Sequence, residues 1–185
     1  MLFSGLLRVL DEHYDDLEIP EIKRAGPYFP DIYMANTCNI IVTDRVKALL
    51  ESSDISGMTG YRRAIVKKMV DIDWPSWDLD SEDPLFYPEG KSPINYIRQG
   101  ANSDDLVRSA PRAWELLVAR DGEIKKLSDT RDYLGSSNLA LASTPSIDIF
   151  QPKNMLFIVV SERFKAFIER KKISTLGFVE LSKAG

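Results

Sequence analysis

Residues 40–58 read Ile-Ile-Val-Thr-Asp-Arg-Val-Lys-Ala-Leu-Leu-Glu-Ser-Ser-Asp-Ile-Ser-Gly-Met, and their pattern returns near the C-terminus as Phe157-Ile-Val-Val-Ser-Glu-Arg-Phe-Lys-Ala-Phe-Ile-Glu-Arg-Lys-Lys-Ile-Ser-Thr-Leu176. Aligned without a gap, Val42, Arg45, Lys47, Ala48, Glu51, Ile55 and Ser56 meet Val160, Arg163, Lys165, Ala166, Glu169, Ile173 and Ser174, and Thr43 meets Ser161. Each copy opens with a short β-branched apolar run, which predicts a strand buried on both faces. Thr43 or Ser161 then stands where a hydroxyl caps a helix, and Asp44 or Glu162 follows at the positive end of the helix dipole. Val46, Leu49 and Leu50, and in the second copy Phe164, Phe167 and Ile168, recur at helical spacing and predict one buried helix face. Gly57 is expected to supply a left-handed turn that ends the first helical region, which Thr175 cannot do cheaply. The surface-type matches Lys47/Lys165 and Glu51/Glu169 go beyond what shared caps and core spacing require, so the pattern is read as a duplicated module. Its spacing is too long for a solenoid repeat.

The remaining composition bounds the class. A chain of 185 residues with 44% hydrophobic and 28% charged residues suits one soluble globular domain, 1–185. The net charge of -4 disfavours non-specific nucleic-acid binding. The single Cys38 excludes an internal disulfide and is expected to be a small buried thiol in a reducing cytosol. The apolar start, Met-Leu-Phe-Ser-Gly-Leu-Leu-Arg-Val-Leu, lacks a leading basic segment and a small-residue cleavage site, and no run is long enough to span a membrane. A cytoplasmic location with no membrane partner is expected; the oligomeric state is open.

Along the chain, residues 2–17 suit a short amphipathic helix or a strand entering one. Pro20, Pro27 and Pro30 predict extended, irregular chain with Tyr28, Phe29 and Tyr33 covering the core edge. Residues 61–70 carry Arg62, Arg63, Lys67 and Lys68 around apolar positions, as in a strand with outward cations. Residues 94–98 suit a short helix or strand, and residues 104–120 a helix on either side of Pro111, with Trp114, Leu116, Leu117 and Val118 in the core. Residues 135–146 are small and polar, which predicts a mobile loop, and residues 176–181 read as a final strand.

Signatures of catalysis are scarce. His13 is the only histidine and no G-x-S-x-G elbow accompanies it; Walker and dinucleotide fingerprints are absent. One His and one Cys cannot assemble a soft metal site within one chain without several carboxylates. Catalytic residues, metal and cofactor are therefore all expected to be none. Residues 71–89 differ from the rest of the chain. Seven acids, Asp71, Asp73, Asp78, Asp80, Glu82, Asp83 and Glu89, occur there without Lys or Arg, among Trp74, Trp77, Phe86 and Tyr87. Aromatic anchors ringed by carboxylates suit binding of a basic protein surface, so Trp74, Trp77, Asp78, Asp80, Glu82 and Asp83 are the expected partner contacts. Inward-turned tryptophans acting as core lids are the competing reading. An alternative is a carboxylate-dependent enzyme holding a divalent cation at Asp71 to Asp83, though the central glycine and closing Glu of a calcium loop are missing. Gly57-Met-Thr-Gly60 followed by Arg62 and Arg63 weakly suggests an RNA-binding clamp.

The strand, Val-Thr-Asp-Arg or Val-Ser-Glu-Arg, helix and Ile-Ser succession resembles the duplicated module of a group of bacterial immunity proteins from polymorphic-toxin systems. The resemblance covers residues 40–61 and 157–181. Some members of that group carry two C-x-x-C-G zinc motifs, which this chain lacks, so no zinc is carried over. The resemblance implies an intracellular, non-catalytic protein that binds and neutralises a cognate protein toxin, with toxin-facing loops outside the module. The expected fold is a single α+β domain with a mixed or mostly antiparallel sheet.

Overall fold

In the computed structural model, described over residues 2–4 (backbone), 19–35, 39–71, 97–127, 139–143, 145–173 and 176–181, the chain is a single α+β domain. Its strands are β1 (Leu2–Ser4), β2 (Glu21–Ala25), β3 (Ile32–Met34), β4 (Ile40–Thr43), β5 (Met58–Val70), β6 (Ala113–Arg120), β7 (Ile124–Lys126), β8 (Leu139–Leu141), β9 (Ile149–Gln151), β10 (Val159–Val160) and β11 (Gly177–Val179). Helices α1 (Asp44–Glu51), α2 (Asp104–Ser109) and α3 (Glu162–Arg170) join them. Nine strands form one mixed sheet, and β7 and β8 form a separate two-stranded ribbon. Only β2–β5 and β6–β9 are parallel pairs within that sheet.

The two similar stretches both fold as a strand leading directly into a helix, β4–α1 and β10–α3, and the pairing around them follows one scheme. In the first, β3 and β4 pair antiparallel, α1 follows, and β6 lies between β4 and β5. In the second, β9 and β10 pair antiparallel, α3 follows, and β1 lies between β10 and β11. The inserted strand precedes the other hairpin in sequence in both cases, so each unit's sheet is completed by a strand from elsewhere in the chain. Strand β6 reaches across both units, pairing with β4 near its start and with β9 at Ala119 and Arg120.

One core lies beneath both helices. Val46 and Leu50 of α1 and Phe164, Phe167 and Ile168 of α3 pack on Ile40, Val42, Leu116, Ile149, Ile158 and Val160. Burying each such side chain is worth about 1.5–3 kcal/mol. The apolar run of β4 is needed on both faces, because Ile41 turns away from the helices to join Ile22, Tyr33, Ala64 and Ala113.

Several expectations are corrected. Residues 113–120 form a strand in the middle of the sheet, although Ala, Glu and Leu favour helix. Period-two burial decides: Leu116 is buried on the helix face with Trp114 and Val118 packed beside it, Ala113 and Glu115 are buried on the other face, and Leu117 is 38% exposed. Only residues 104–109 of that stretch are helical, and Ser103 caps them by accepting from the Leu106 N–H. The proline-rich stretch is extended as expected but regular over β2 and β3, and β8 runs through part of the expected loop. Tyr33 and Phe29 pack at the core as expected, whereas Tyr28 is 57% exposed. Gly57 does not end α1, whose C-cap is Ser52. Instead α3 ends in a left-handed turn at Lys172, φ 55°, with Lys172 N–H donating to Glu169 and Ile173 N–H to Ile168. That is a Schellman turn, closed by the buried pair Ile168 and Ile173.

Residues 97–99 form one helical turn. The expectations for residues 5–17 and 94–96, His13, Cys38, Ser174, Thr175 and residues 135–138 lie outside the described residues. Among the described residues, no helix is long and apolar enough to cross a membrane.

Candidate functional site

The arginine of each Val-[Thr/Ser]-[Asp/Glu]-Arg motif is tied to an aspartate at the mouth of the preceding hairpin. Asp31, just before β3, accepts from the Thr43 hydroxyl at 2.9 Å and from Arg45 at 2.7 Å, while its carbonyl accepts from the Thr43 N–H. Asp148, just before β9, accepts from the Ser161 hydroxyl at 2.7 Å and from Arg163 at 3.3 Å, and its carbonyl accepts from the Ser161 N–H. The second bracket is fuller. Ser56, in the turn after α1, donates to Asp148 through both its N–H and its hydroxyl, and Arg163 also pairs with Asp54. Both carboxyls are held below the ordinary range. For Asp31 the Arg45 hydrogen bond is the main cause, whereas at Asp148 burial pushes upward and the Ser56, Ser161 and Arg163 contacts outweigh it.

Neither aspartate was picked out from the sequence. The available signal was Asp-Ile followed by an aromatic, Asp31-Ile32-Tyr33 and Asp148-Ile149-Phe150, 12 and 13 residues before the motif hydroxyls Thr43 and Ser161. The hydroxyls themselves differ from expectation. Ser161 accepts from the Phe164 N–H as a helix cap, but Thr43 makes no side-chain cap bond and serves Asp31 alone.

A second polar group lies across β5 and β6. Glu115 is buried and held by Arg62 at 2.6 Å and by the Asn39 amide. A buried carboxylate is tolerable only with such partners. On the opposite face Trp114 is the centre of an aromatic and cationic stack. Its indole N–H donates to Asp44 at 2.6 Å, Lys47 lies 4.9 Å from the Tyr61 ring and 5.1 Å from Trp114, and Arg63 lies 5.3 Å from Trp114. The Trp114 hydrogen bond, then Arg112 and Arg63, hold the Asp44 carboxyl below its usual range against the effect of burial. Burial pushes the Tyr61 hydroxyl up to about 12, assisted by Glu51.

The cations expected to project from residues 61–70 are therefore largely engaged. Arg62 serves Glu115, Lys67 bonds Glu21 at 2.6 Å across the parallel ladder, and Lys68 donates to the Arg98 carbonyl at 3.4 Å. Arg63 is exposed and lies over the Trp114 ring. Met58, Thr59 and Gly60 of the Gly57 to Gly60 tetrad lie in β5, and Gly57 directly precedes it. The Gly57 carbonyl accepts from Ala119, and Gly60 pairs with Leu117, so its backbone is bound to β6 rather than raised as a clamp.

The expected contacts Trp74, Trp77, Asp78, Asp80, Glu82 and Asp83 lie outside the described residues, as does Asp73; Asp71 is exposed at the end of β5. No group of three or more His, Cys, Asp or Glu among the described residues is placed to hold a metal ion. The class defined by fold and site is a single-domain α+β protein in which two strand–helix units are tied by aspartate brackets. No protein-family model, curated protein or solved structure matches the chain.

Proposed function

We propose that this is a non-catalytic, cytoplasmic immunity protein that binds and neutralises a cognate bacterial toxin by occluding its active or substrate-binding surface. The observation that carries the reading is the double use of the motif: in both units the motif arginine and hydroxyl are engaged in holding an aspartate. Signature residues engaged in this way make scaffold, which agrees with the resemblance to immunity modules whose toxin contacts lie elsewhere. Trp74, Trp77, Asp78, Asp80, Glu82 and Asp83 are the proposed contacts, because their aromatic and acidic composition suits a basic partner.

The test is toxicity rescue and titration with a lethal protein encoded beside this chain. Co-expression should restore growth, and the purified pair should form a stoichiometric complex. Replacing Asp78, Asp80, Glu82 and Asp83 together with lysine should weaken the complex at least tenfold and reduce its salt dependence without shifting the melting curve. A wild-type protein that neither binds nor rescues would refute the reading; unchanged affinity in the quadruple variant would remove only the acidic segment from the interface.

A further inference from the structure

Strand β5 is longer than either of its partners, pairing with β6 over residues 58–64 and with β2 over residues 65–70. The hydrogen bonds determine which backbone groups lie on which edge. The Arg112 carbonyl accepts from the Asp44 N–H, so Trp114 and Leu116, by alternation, also direct their backbone groups toward β4. Ala113, Glu115 and Leu117 therefore face the other way, toward Ala64, Arg62 and Gly60 of β5. Tyr61 and Arg63 must then turn their N–H and C=O to the outer edge. Ile65 lies on that edge too, donating its N–H to the Pro20 carbonyl at 2.8 Å.

Strand β2 covers this edge only from Glu21, which stands opposite Ile65. One more parallel rung would need an N–H at residue 20 to reach the Arg63 carbonyl, and proline has none. Among the described residues no strand pairs with the outer edge at Tyr61 and Arg63. The edge is reachable: Thr59 and Arg63 are exposed and Ile65 is 48% exposed. Arg63 supplies its cation, since Arg62, Lys67 and Lys68 are engaged by Glu115, Glu21 and the Arg98 carbonyl, and β5 carries no acid. Arg63 lies over the Trp114 ring, its guanidinium carbon 5.3 Å from the ring centroid, and a planar guanidinium held there can still pair a carboxylate.

We propose that the outer edge of β5 at residues 59–63 accepts an extended, carboxylate-bearing segment of a partner protein as an added strand. The backbone groups of Tyr61 and Arg63 supply the ladder bonds, and Arg63 selects an acidic side chain beside them. Charge favours such a segment over a second copy of this chain, because antiparallel pairing of β5 with itself would bring the Arg62 and Arg63 pairs of two copies together. The inference is independent of the toxin reading.

The test uses the full chain and two capped nine-residue probes, one alternating Val with Glu and the other Val with Lys, read by residue-resolved amide exchange. In the free protein the Tyr61 and Arg63 amides should exchange faster than those of Arg62 and Ala64. The Glu probe should slow them at least tenfold and saturably, and the Lys probe should not. Arg63→Glu should reverse that preference. Arg63→Pro, which removes the outward N–H together with the guanidinium, should abolish protection of Tyr61 by either probe; if it fails to fold, Arg63→Glu decides alone. Slow exchange at both amides in the free protein at low concentration, no saturable protection by the Glu probe, or equal protection by both probes would overturn the proposal. Protection that rises with protein concentration alone would overturn it in favour of a second copy as occupant.

Discussion

The two strand–helix units use the same bracket at different depths. Around Asp31 the partners are Thr43 and Arg45, and the ion pair has side-chain exposures of 51% for Arg45 and 36% for Asp31. Around Asp148 the carboxylate is 9% exposed and gathers Ser56 and Ser161 as well as Arg163. The difference comes from what each aspartate must join. Asp31 closes its own hairpin onto its own helix, whereas Asp148 also receives the turn that follows α1, so it holds one unit against the other. Similar sequence therefore yields a surface latch in one place and a buried junction in the other.

The largest expected effect is at that junction. Gly57 has φ 99°, and an added Cβ would stand 2.1 Å from the Ile149 carbonyl oxygen. Gly57→Ala should cost about 4 kcal/mol from backbone strain plus steric conflict, measured by denaturant unfolding. A loss below about 1 kcal/mol would show that the units do not meet closely there. Next, Asp148→Ala strands Ser56, Ser161 and Arg163 and should cost about 3 kcal/mol. Asp31→Ala, at a more exposed pair, should cost about 1 kcal/mol. Equal losses would erase the distinction between latch and junction.

Acidity sharpens the same contrast. Both aspartates have lowered folded values, so their stabilisation is fully present above the ordinary carboxylate range near pH 4 and disappears as pH falls through the folded values. The stability gap between wild type and Asp148→Asn should accordingly narrow as pH is lowered from about 5 toward 2, as read from melts across that range.

Smaller effects separate the helix ends. Ser161→Ala removes a cap bond together with the bond to Asp148 and should cost about 1.5 kcal/mol, while Thr43→Ala removes the bond to Asp31 and a buried methyl and should cost about 1 kcal/mol. At the other end of α3, Lys172→Gly should stabilise by about 0.5 kcal/mol, because glycine occupies the left-handed position without the steric cost of a side chain. Loss of stability there would mean that Lys172 contributes a contact worth more than the strain.

Legibility followed the range of the interactions. The β4–α1 and β10–α3 units, their buried helix faces and the cation-bearing β5 could be read from residues within a few positions of one another. So could Ser161 as a cap, since the bond spans only three residues. The helix expected over residues 113–120 failed because Ala-Trp-Glu-Leu-Leu-Val-Ala-Arg satisfies helical propensity locally, while its strand state depends on β4 and β5 lying on either side. Glu115 became a buried group for the same reason, through Arg62 some 53 residues away.

By itself the sequence determined a single α+β domain, two strands that lead directly into helices and the faces that those helices bury, because apolar periodicity and local capping are properties of short segments. Only the tertiary structure decided that β6 and β1 each complete the unit to which they do not belong, that Ser56 reaches Asp148 across 92 residues, and that Pro20 stops β2 short of the β5 edge. Those outcomes depend on which backbone groups come opposite one another, and strand pairing between distant segments is settled by the packing of the whole sheet rather than by the preferences of either segment.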